Sequence, residues 1–302
     1  MSPSVLAALL VTQTCGGLAP ILTKLALGGL GPWSVVVTRQ LLGVVVLFAM
    51  ARAAGMRSRP RVPFTRRERA LLLTLSWAGF ALPQILLAHG IARSTGTNGA
   101  LLSPLEPIGL LVGGALFLGE RLTPWRLLAV ALGTAGASAI VLQGDVRPEL
   151  GDPLGDALIA LGHLAWAIYT LAAKPLLERH DPGRISLYAV ALSIPVLAPL
   201  AVGEPLDPAR ALHGLAWVAV LAVTATAIGT LTWNYALRSL SAGTVAAFIF
   251  VQPLVGLAAG RLALDEPVGP LAVGGAVLIL VGVTLEARHA AAAAPATASE
   301  GA

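Results

Sequence analysis

The sequence has little charge and almost no sulfur. Only 12% of its 302 residues are charged and Cys15 is its one cysteine, whereas 56% are hydrophobic. A lone cysteine excludes an intrachain disulfide. A water-soluble domain with polar and apolar faces carries more charge than this. The composition therefore indicates a membrane protein.

Several signatures of catalysis are also missing. No Gly-x-x-x-x-Gly-Lys-Ser/Thr loop occurs, so we do not expect ATP to drive this protein directly. No Cys/His metal spacing or His-Glu-x-x-His helix is present, and Ser103, Ser138 and Ser193 lack a recognisable base and orienting group. We therefore expect no catalytic residue, no metal and no cofactor.

Long apolar segments fill most of the chain. A hydrocarbon core of about 30 Å requires about 20 apolar residues per helix, and ten such segments fit the sequence, which predicts an all-α membrane protein. The predicted spans cover about 4–28, 33–54, 70–91, 97–119, 124–143, 154–175, 185–203, 212–236, 242–262 and 268–286. The first is long enough to be a helix and lacks a basic segment before it, so we interpret it as span 1 and not as a signal peptide.

A sparse pattern is duplicated at a spacing of 146 positions. Glu106-Pro107, Gly114, Leu116, Leu118, Glu120, Pro124 and Gly136 recur as Gln252-Pro253, Gly260, Leu262, Leu264, Glu266, Pro270 and Gly282. We therefore predict two five-helix repeats, residues 1–143 and 153–286, joined by a linker at 144–152 and followed by a disordered tail at 287–302. Five spans is an odd number, so the second repeat should be inverted in the bilayer, as in many secondary transporters.

Basic residues alternate between the breaks that separate the spans. Seven arginines lie between positions 52 and 69, and further basic residues follow spans 4 and 6. Because positive charge resists translocation, these breaks and both termini should face the cytoplasm, in a bacterial inner membrane. This distribution, and not nucleic-acid binding, explains the net charge of +5.

The motifs resemble those of a known family. They are Gly17 with Lys24, Pro32 with Arg39, Leu118-Gly119-Glu120-Arg121-Leu122, Tyr235-Ala236-Leu237-Arg238 and Leu264-Asp265-Glu266. Together they resemble the EamA-like, ten-helix branch of the drug/metabolite transporter superfamily, from Ser4 to Glu286. The resemblance implies an exporter or permease of small metabolites with a central cavity. Gln40, Asp265 and the carboxylate at Glu106 depart from the usual pattern.

Glu106 is the one carboxylate predicted well inside a span, where a charge is expensive unless paired, protonated or wetted. It either binds a cationic group of a substrate and exchanges a proton, or is a protonated or structurally paired side chain. Lys24 and Arg39 are the two candidate partners. Both are expected to extend to the interface, with Lys24 alternatively holding a substrate carboxylate and Arg39 joining two helices. Gln252 is the neutral repeat equivalent of Glu106.

Further polar and aromatic side chains lie within the predicted spans. His89 and His163 either relay protons with Glu106 or are neutral hydrogen-bonding groups. An aromatic and amide lining for a metabolite pocket, or a set of interfacial anchors, is predicted at Trp166, Tyr169, Trp233, Asn234 and Tyr235.

Matched prolines and glycines occur in spans 4 and 9. Pro107 and Pro253 are predicted to bend the two helices beside the cavity during gating, although prolines are common in membrane helices. Gly109 with Gly113 and Gly256 with Gly260 form small-xxx-small faces. These faces are expected to allow close helix packing.

The sequence thus favours a secondary transporter that exports amino acids or related metabolites by alternating access. A drug-efflux carrier for lipophilic cations is the alternative within transport. A membrane-embedded lipid-modifying enzyme and a scaffold are the alternatives outside it. The expected partners are a small-molecule substrate and the lipid bilayer, with a homodimer left open.

Overall fold

Ten apolar helical spans form the described part of the chain. The computed structural model describes residues 1–53, 62–94, 96–143, 152–204, 208–264 and 267–292. Spans 1 to 10 are Pro3–Leu27, Pro32–Ala53, Arg66–Ile91, Asn98–Leu118, Pro124–Val141, Pro153–Leu177, Pro182–Ala201, Pro208–Ser239, Ala242–Leu262 and Pro270–Ala291. No strand occurs among these residues. The prediction of an all-α membrane protein with ten spans is confirmed.

Polar residues and prolines set the beginnings of several spans. Side-chain oxygens of Ser2, Thr65, Thr123, Asp152, Asp181 and Ser241 accept a backbone N–H of the following first turn. Proline follows four of these caps within the first two helical positions, where its missing N–H and fixed φ suit a helix start. These local signals explain why the span starts could be predicted to within a few residues.

Two spans in each half are interrupted, and they are interrupted at equivalent places. Span 3 contains a π-helical turn at Trp77–Ala81, and span 8 contains one at Ala222–Gly229, which includes the positions 146 residues later. Span 4 consists of helices Gly96–Leu102 and Leu105–Leu118, and span 9 of helices Ala242–Ile249 and Val251–Leu264. The duplication therefore extends to backbone irregularities.

The packing of the spans has the same internal symmetry. Span 1 packs on spans 8 and 9, and its repeat equivalent, span 6, packs on spans 3 and 4. Span 2 packs on span 7, and span 5 packs on span 10. Exchanging the two halves leaves this set of pairs unchanged, as a pseudo-twofold relation between repeats requires.

Pro107 and Pro253 lie just after the interruptions in spans 4 and 9. Each is the third residue of its second helical segment, where a missing N–H removes no hydrogen bond within the segment. Each proline therefore lies at the beginning of a helical segment. The sequence had suggested instead that the two prolines bend continuous helices. Their role in gating stays a prediction.

The glycine faces of spans 4 and 9 behave differently. A methyl group at Gly109 would lie 3.0 Å from Leu164, and one at Gly113 would lie 2.4 Å from Leu171, so both glycines leave room for side chains of span 6. A methyl group at Gly256 would meet only the Gly17 carbonyl oxygen, at 3.9 Å. For Gly256 the packing prediction is therefore wrong, because the small residues at this contact belong to span 1. Gly260 is buried.

The predicted linker and tail fall largely outside the described residues. Within residues 144–152 only Asp152 is described, and it caps span 6. The final helix continues to Ala292, so residues 287–292 are helical and do not belong to the disordered tail predicted at 287–302. Residues 293–302 and Glu266 lie outside the described part.

Candidate functional site

Glu106 lies in the first turn of the second segment of span 4. Its side chain is half-buried and forms no hydrogen bond or ion pair in the described part of the chain. In particular, it pairs with neither Lys24 nor Arg39, so the sequence-based suggestion of a structural ion pair is wrong. A carboxyl group that is inside a span and has no protein partner can meet a ligand or a proton.

Gln252, the repeat equivalent of Glu106, is engaged within the protein. Its Nε2 donates to Gln13 Oε1 of span 1 at 2.8 Å. Its amide group also fills the space beside Gly16, where a Cβ atom would lie 2.8 Å from the Gln252 Cδ atom. Gln252 therefore joins spans 1 and 9, and its predicted contact with substrate stays a prediction. Gln13 was missed, although an amide in the middle of span 1 is itself a signal.

Arg39 points into the protein and does not extend to the interface as predicted. Its Nη2 donates to Gln84 Oε1 of span 3 at 2.5 Å, and Gln40 Nε2 donates to the same oxygen at 3.2 Å. The Arg39 Nε atom is buried without a hydrogen-bond partner. This arrangement joins span 2 to span 3, which agrees with the alternative given for Arg39.

Lys24 lies in the last turn of the first helix and is exposed. This position agrees with an ammonium group that reaches the membrane interface. The structure places Lys24 at the end of span 1, and not beside Glu106.

The proposed histidine relay is not connected in this structure. His163 Nε2 lies 3.2 Å from the Gly99 carbonyl oxygen, an acceptor, so Nε2 carries the proton. His163 Nδ1 is buried without a partner. His89 is exposed and contacts the Trp33 ring, with centroids 5.6 Å apart. Neither histidine is hydrogen-bonded to Glu106, so a relay would need intervening water or a substrate.

Most of the predicted aromatic and amide lining packs inside the protein. Asn234 Nδ2 donates to Tyr169 Oη at 2.7 Å and to Ser186 Oγ at 2.9 Å, and Trp233 Nε1 donates to Thr170 Oγ1 at 3.2 Å. Asn234 is fully buried. The prediction that Tyr169, Trp233 and Asn234 line a pocket is therefore wrong for this conformation, because their polar atoms hold spans 6, 7 and 8 together.

Trp166 and Tyr235 are the two other members of the predicted lining. Trp166 is half-buried and packs edge-on against Phe80, with ring centroids 5.6 Å apart. Tyr235 is exposed on span 8 and its Oη donates to Ser4 Oγ at 3.4 Å. Tyr235 therefore fits an interfacial anchor, whereas Trp166 remains a candidate for the lining.

A charged cluster closes the face at which the even-numbered spans end, the predicted cytoplasmic face. Both Glu120 carboxylate oxygens accept from the helix start of span 9, from Ala242 N at 2.6 Å and Gly243 N at 3.0 Å. From span 6, Lys174 Nζ donates to the carbonyl oxygens of Leu237 and Leu240, at 2.7 and 2.6 Å. The turn between spans 8 and 9 is thus held at both of its ends, and we call these contacts the turn clamp.

Arg126 extends the clamp to span 10. Its Nε donates to Glu286 Oε1 at 3.3 Å and its Nη2 to Ser241 Oγ at 2.6 Å, while Nη1 lies 3.7 Å from Glu120 Oε2. Thr244 Oγ1 also donates to Glu286, at 2.8 Å. Sequence reasoning treated Arg126 and Lys174 only as loop charges and missed these contacts, because their partners on spans 8, 9 and 10 are more than 60 positions away in the chain.

The opposite face is held by weaker, more exposed contacts. Arg93 Nε donates to Asp152 Oδ2 at 3.0 Å, and this hydrogen bond lowers the pKa of Asp152. Asp156 accepts from Ser94 and from Asn98. These contacts join the turn between spans 3 and 4 to the start of span 6.

A groove of about 660 Å³ runs between spans 3, 4 and 6 and is lined by hydrocarbon side chains and glycines. Leu116 and Phe117 on its rim are among the most exposed apolar residues of the described chain. This groove belongs to the lipid-facing surface and offers no polar group to a hydrophilic ligand.

Ten apolar spans, two sets of interrupted helices and charges inside the bundle define a polytopic membrane protein of the carrier type. The model of the EamA-like transporter family matches residues 3–142 and 153–287. The chain belongs to this family and is a multi-pass membrane transporter.

Two relatives and one solved structure are similar to this chain over most of its length. A protein of Streptantibioticus cattleyicolor named "Probable terminal-alkyne amino-acid exporter" is 28% identical over 297 residues, 96% of this chain and 95% of its own length. An Escherichia coli protein named "Probable amino-acid metabolite efflux pump" is 27% identical over 239 residues, 75% of this chain and 77% of its own. A crystal structure superposes with a TM-score of 0.76 over 97% of this chain and 98% of that chain; at 17% identity it shows the fold alone.

Proposed function

We propose that this transporter exports amino acids or closely related small metabolites by alternating access. The observation that carries the proposal is the Glu106 carboxyl group, which lies inside span 4 without a protein partner. A discontinuous helix exposes backbone groups to a ligand in the middle of the membrane, and Glu106 begins the second half of one. The names of the two relatives agree with this substrate class.

Glu106 is the proposed contact for the substrate's ammonium group and the proposed site of proton exchange. Trp166 is the aromatic residue that best fits a role beside it, because its ring is half-buried. His163 is a second candidate for proton exchange, since its Nδ1 is buried without a partner. His89 and Lys24 would act at the outer end of the pathway, where both are exposed.

We further infer that residues 1–143 and 153–286 form two inverted repeats that move against each other. The equivalent turns between spans 3 and 4 and between spans 8 and 9 contact opposite ends of span 4: Asn98 at its start donates to Ser94, and Glu120 after its end accepts from Ala242 N. Because the apolar span 4 is about 30 Å long, these turns belong to opposite faces. The turn clamp would then close the cytoplasmic gate, with Pro107 and Pro253 beside the two points at which the helices are interrupted.

From the basic breaks we infer that the clamp face and both termini lie on the cytoplasmic side of a bacterial inner membrane. Leu122 and Val268 are exposed repeat equivalents suited to a test. Each is changed to cysteine in a Cys15→Ala background and labelled with a membrane-impermeant maleimide. We expect Leu122→Cys to react from the cytoplasm and Val268→Cys from outside. Reaction of both from the same side would refute the inversion.

Counterflow in proteoliposomes tests the transport proposal. Proteoliposomes that contain the purified protein are loaded with an unlabelled amino acid. Uptake of the labelled amino acid is then compared for the wild type, Glu106→Gln and Glu178→Gln. Glu178 is an exposed carboxylate at the end of span 6 and is the matched control. We expect Glu106→Gln alone to lose most flux and its dependence on pH. Normal flux and pH dependence in Glu106→Gln would exclude the role of Glu106.

A carrier for lipophilic cations is the second candidate, since Glu106 could also neutralise such a ligand. Cationic dyes tested in the same vesicles distinguish the two. Competition by amino acids and not by dyes is expected. If only the dyes compete, the substrate class is lipophilic cations and not amino acids.

A further inference from the structure

Arg39 is a cation inside a span with no carboxylate beside it. In the described chain its guanidinium donates only to the Gln84 amide oxygen, an acceptor that it shares with Gln40. The Nε atom is buried without any partner. A guanidinium presents five donors and is always protonated. Most of its hydrogen-bonding capacity and its whole charge are therefore left without a protein partner.

The other repeat shows that the helix contact does not require an arginine. Spans 2 and 7 begin at Pro32 and Pro182, so the residues equivalent to Arg39 and Gln40 by their position in the span are Ala189 and Val190. Ala189 and Val190 are both fully buried in the apolar core, and spans 7 and 8 are joined by a hydrogen bond from Ser186 Oγ to the Thr230 carbonyl oxygen at 3.2 Å. Spans 7 and 8 are thus joined by neutral groups, whereas the equivalent spans 2 and 3 are joined through Arg39, Gln40 and Gln84. Arg39 adds a charge to one repeat that the fold does not need.

The second internal charge of that repeat lies at the same depth. Arg39 is seven residues from the start of span 2, Gln84 seven from the end of span 3 and Glu106 eight from the start of span 4. These span ends all lie at one membrane face, because consecutive spans alternate in direction. At a rise of 1.5 Å per residue, all three residues are about 10–12 Å below that face. The repeat equivalents of Arg39 and Glu106 are the neutral Ala189 and Gln252.

We propose that Arg39 binds the carboxylate of the transported molecule while Glu106 binds its ammonium group. The two side chains form no ion pair with each other. A zwitterionic substrate bound between them would therefore give each side chain a partner of opposite charge. A guanidinium recognises a carboxylate through two parallel hydrogen bonds. Arg39 takes the role that the sequence had suggested for Lys24. An internal unpaired arginine also opposes a lipophilic cation as the substrate.

This inference rests on the proposed amino-acid transport, and its test separates the two. Proteoliposomes are assayed by counterflow with a neutral amino acid, its amide, which lacks the carboxylate, and its N-acetyl derivative, which lacks the ammonium group. The proteins compared are the wild type, Arg39→Gln, Glu106→Gln and Arg93→Gln. Arg93 is the matched control, an arginine whose exposed pair with Asp152 lies outside the spans.

Wild-type protein should transport the free amino acid in preference to both derivatives. In Arg39→Gln the preference for the acid over its amide should fall by at least about tenfold, the equivalent of one charged hydrogen bond. Glu106→Gln should lose the preference over the N-acetyl derivative. Arg93→Gln should retain both preferences.

An unchanged ratio of acid to amide in folded Arg39→Gln overturns the role of Arg39 while leaving amino-acid transport intact. Absence of flux of all three compounds in the wild type overturns the proposed function instead. Size-exclusion chromatography and thermal unfolding verify that each variant folds. If Arg39→Gln does not fold, Arg39→Lys replaces it, because lysine keeps the charge but not the bidentate geometry. Arg39→Lys should then reduce the acid-to-amide ratio, and an unchanged ratio would again refute the proposal.

Discussion

Two arginine–carboxylate pairs of this protein should differ strongly in their contribution to stability although their geometries are similar. Arg126 and Glu286 are 3.3 Å apart with side chains 15% and 0% exposed, whereas Arg93 and Asp152 are 3.0 Å apart with side chains 54% and 38% exposed. If distance alone decided, the Arg93–Asp152 pair would contribute more to stability than the Arg126–Glu286 pair. Burial reverses the ranking, because only the enclosed charge loses its hydration.

The expected magnitudes follow from this difference in burial. Arg126→Met leaves Glu286 fully buried without its cation, and removing one partner of a buried pair typically costs about 3–5 kcal/mol. Arg126→Met also removes the hydrogen bond to Ser241 and the charge near Glu120. Arg93→Gln breaks an exposed pair, for which about 0–1 kcal/mol is typical. The two variants should therefore differ by at least about 2 kcal/mol.

Equilibrium unfolding in mixed detergent micelles, followed by the fluorescence of the six tryptophans, measures both changes. The double variant Arg126→Met/Glu286→Gln is a further check. It should be more stable than Arg126→Met, because the buried group left behind is then neutral and Thr244 still donates to it. Equal losses in Arg126→Met and Arg93→Gln, or no recovery in the double variant, would refute the reasoning from burial.

Two other predictions test packing and pH dependence. Gly17→Ala should lose about 1–3 kcal/mol through overpacking, because its methyl group would lie 2.6 Å from Val255 Cβ and 2.7 Å from the Gln252 carbonyl oxygen; Gly274→Ala, with nothing within 4 Å, should be neutral or gain up to about 1 kcal/mol in helix propensity. A thermal shift of equal size and sign in both would contradict this. His180, between spans 6 and 7, has a pKa lowered by burial, which outweighs the attraction of Glu68 and adds to the repulsion of Arg184 and Arg179. Because the folded protein keeps the ring neutral and the unfolded chain binds a proton below its ordinary pKa of 6.5, stability should persist above pH 6.5 and decrease below it, by at most about 1.4 kcal/mol per pH unit. Thermal unfolding at pH 7.5 and 5.5 should show this loss in the wild type and a smaller loss in His180→Gln; equal losses would exclude His180 as the cause.

The spans were largely predictable because their signal is local. Length and apolarity decide whether a segment can cross the membrane, and all ten predicted segments overlap the observed spans, although span 8 extends to 32 residues at Pro208–Ser239. The π-helical turns in spans 3 and 8 were not predicted. No residue type marks them, because they depend on how the neighbouring helices pack.

The candidate site was predicted only in part. The carboxylate of Glu106 was identified because an acidic residue in an apolar run is conspicuous in a sequence. Asn234 and Trp233 were equally conspicuous, yet their side-chain N–H groups donate to partners inside the bundle. Arg39 was expected at the interface, because a sequence does not show that a glutamine 45 positions away accepts its hydrogen bond.

The amino-acid sequence by itself determined the membrane class, the number of spans and the duplication, since each follows from apolar length and from residues repeated at a constant spacing. Only the tertiary structure decided which internal polar groups are satisfied and which are free. Partners such as Gln13 and Gln252 are 239 positions apart, and burial of a charge is decided by every helix packed around it. That distinction leaves Arg39 and Glu106 as the internal charges available to a substrate.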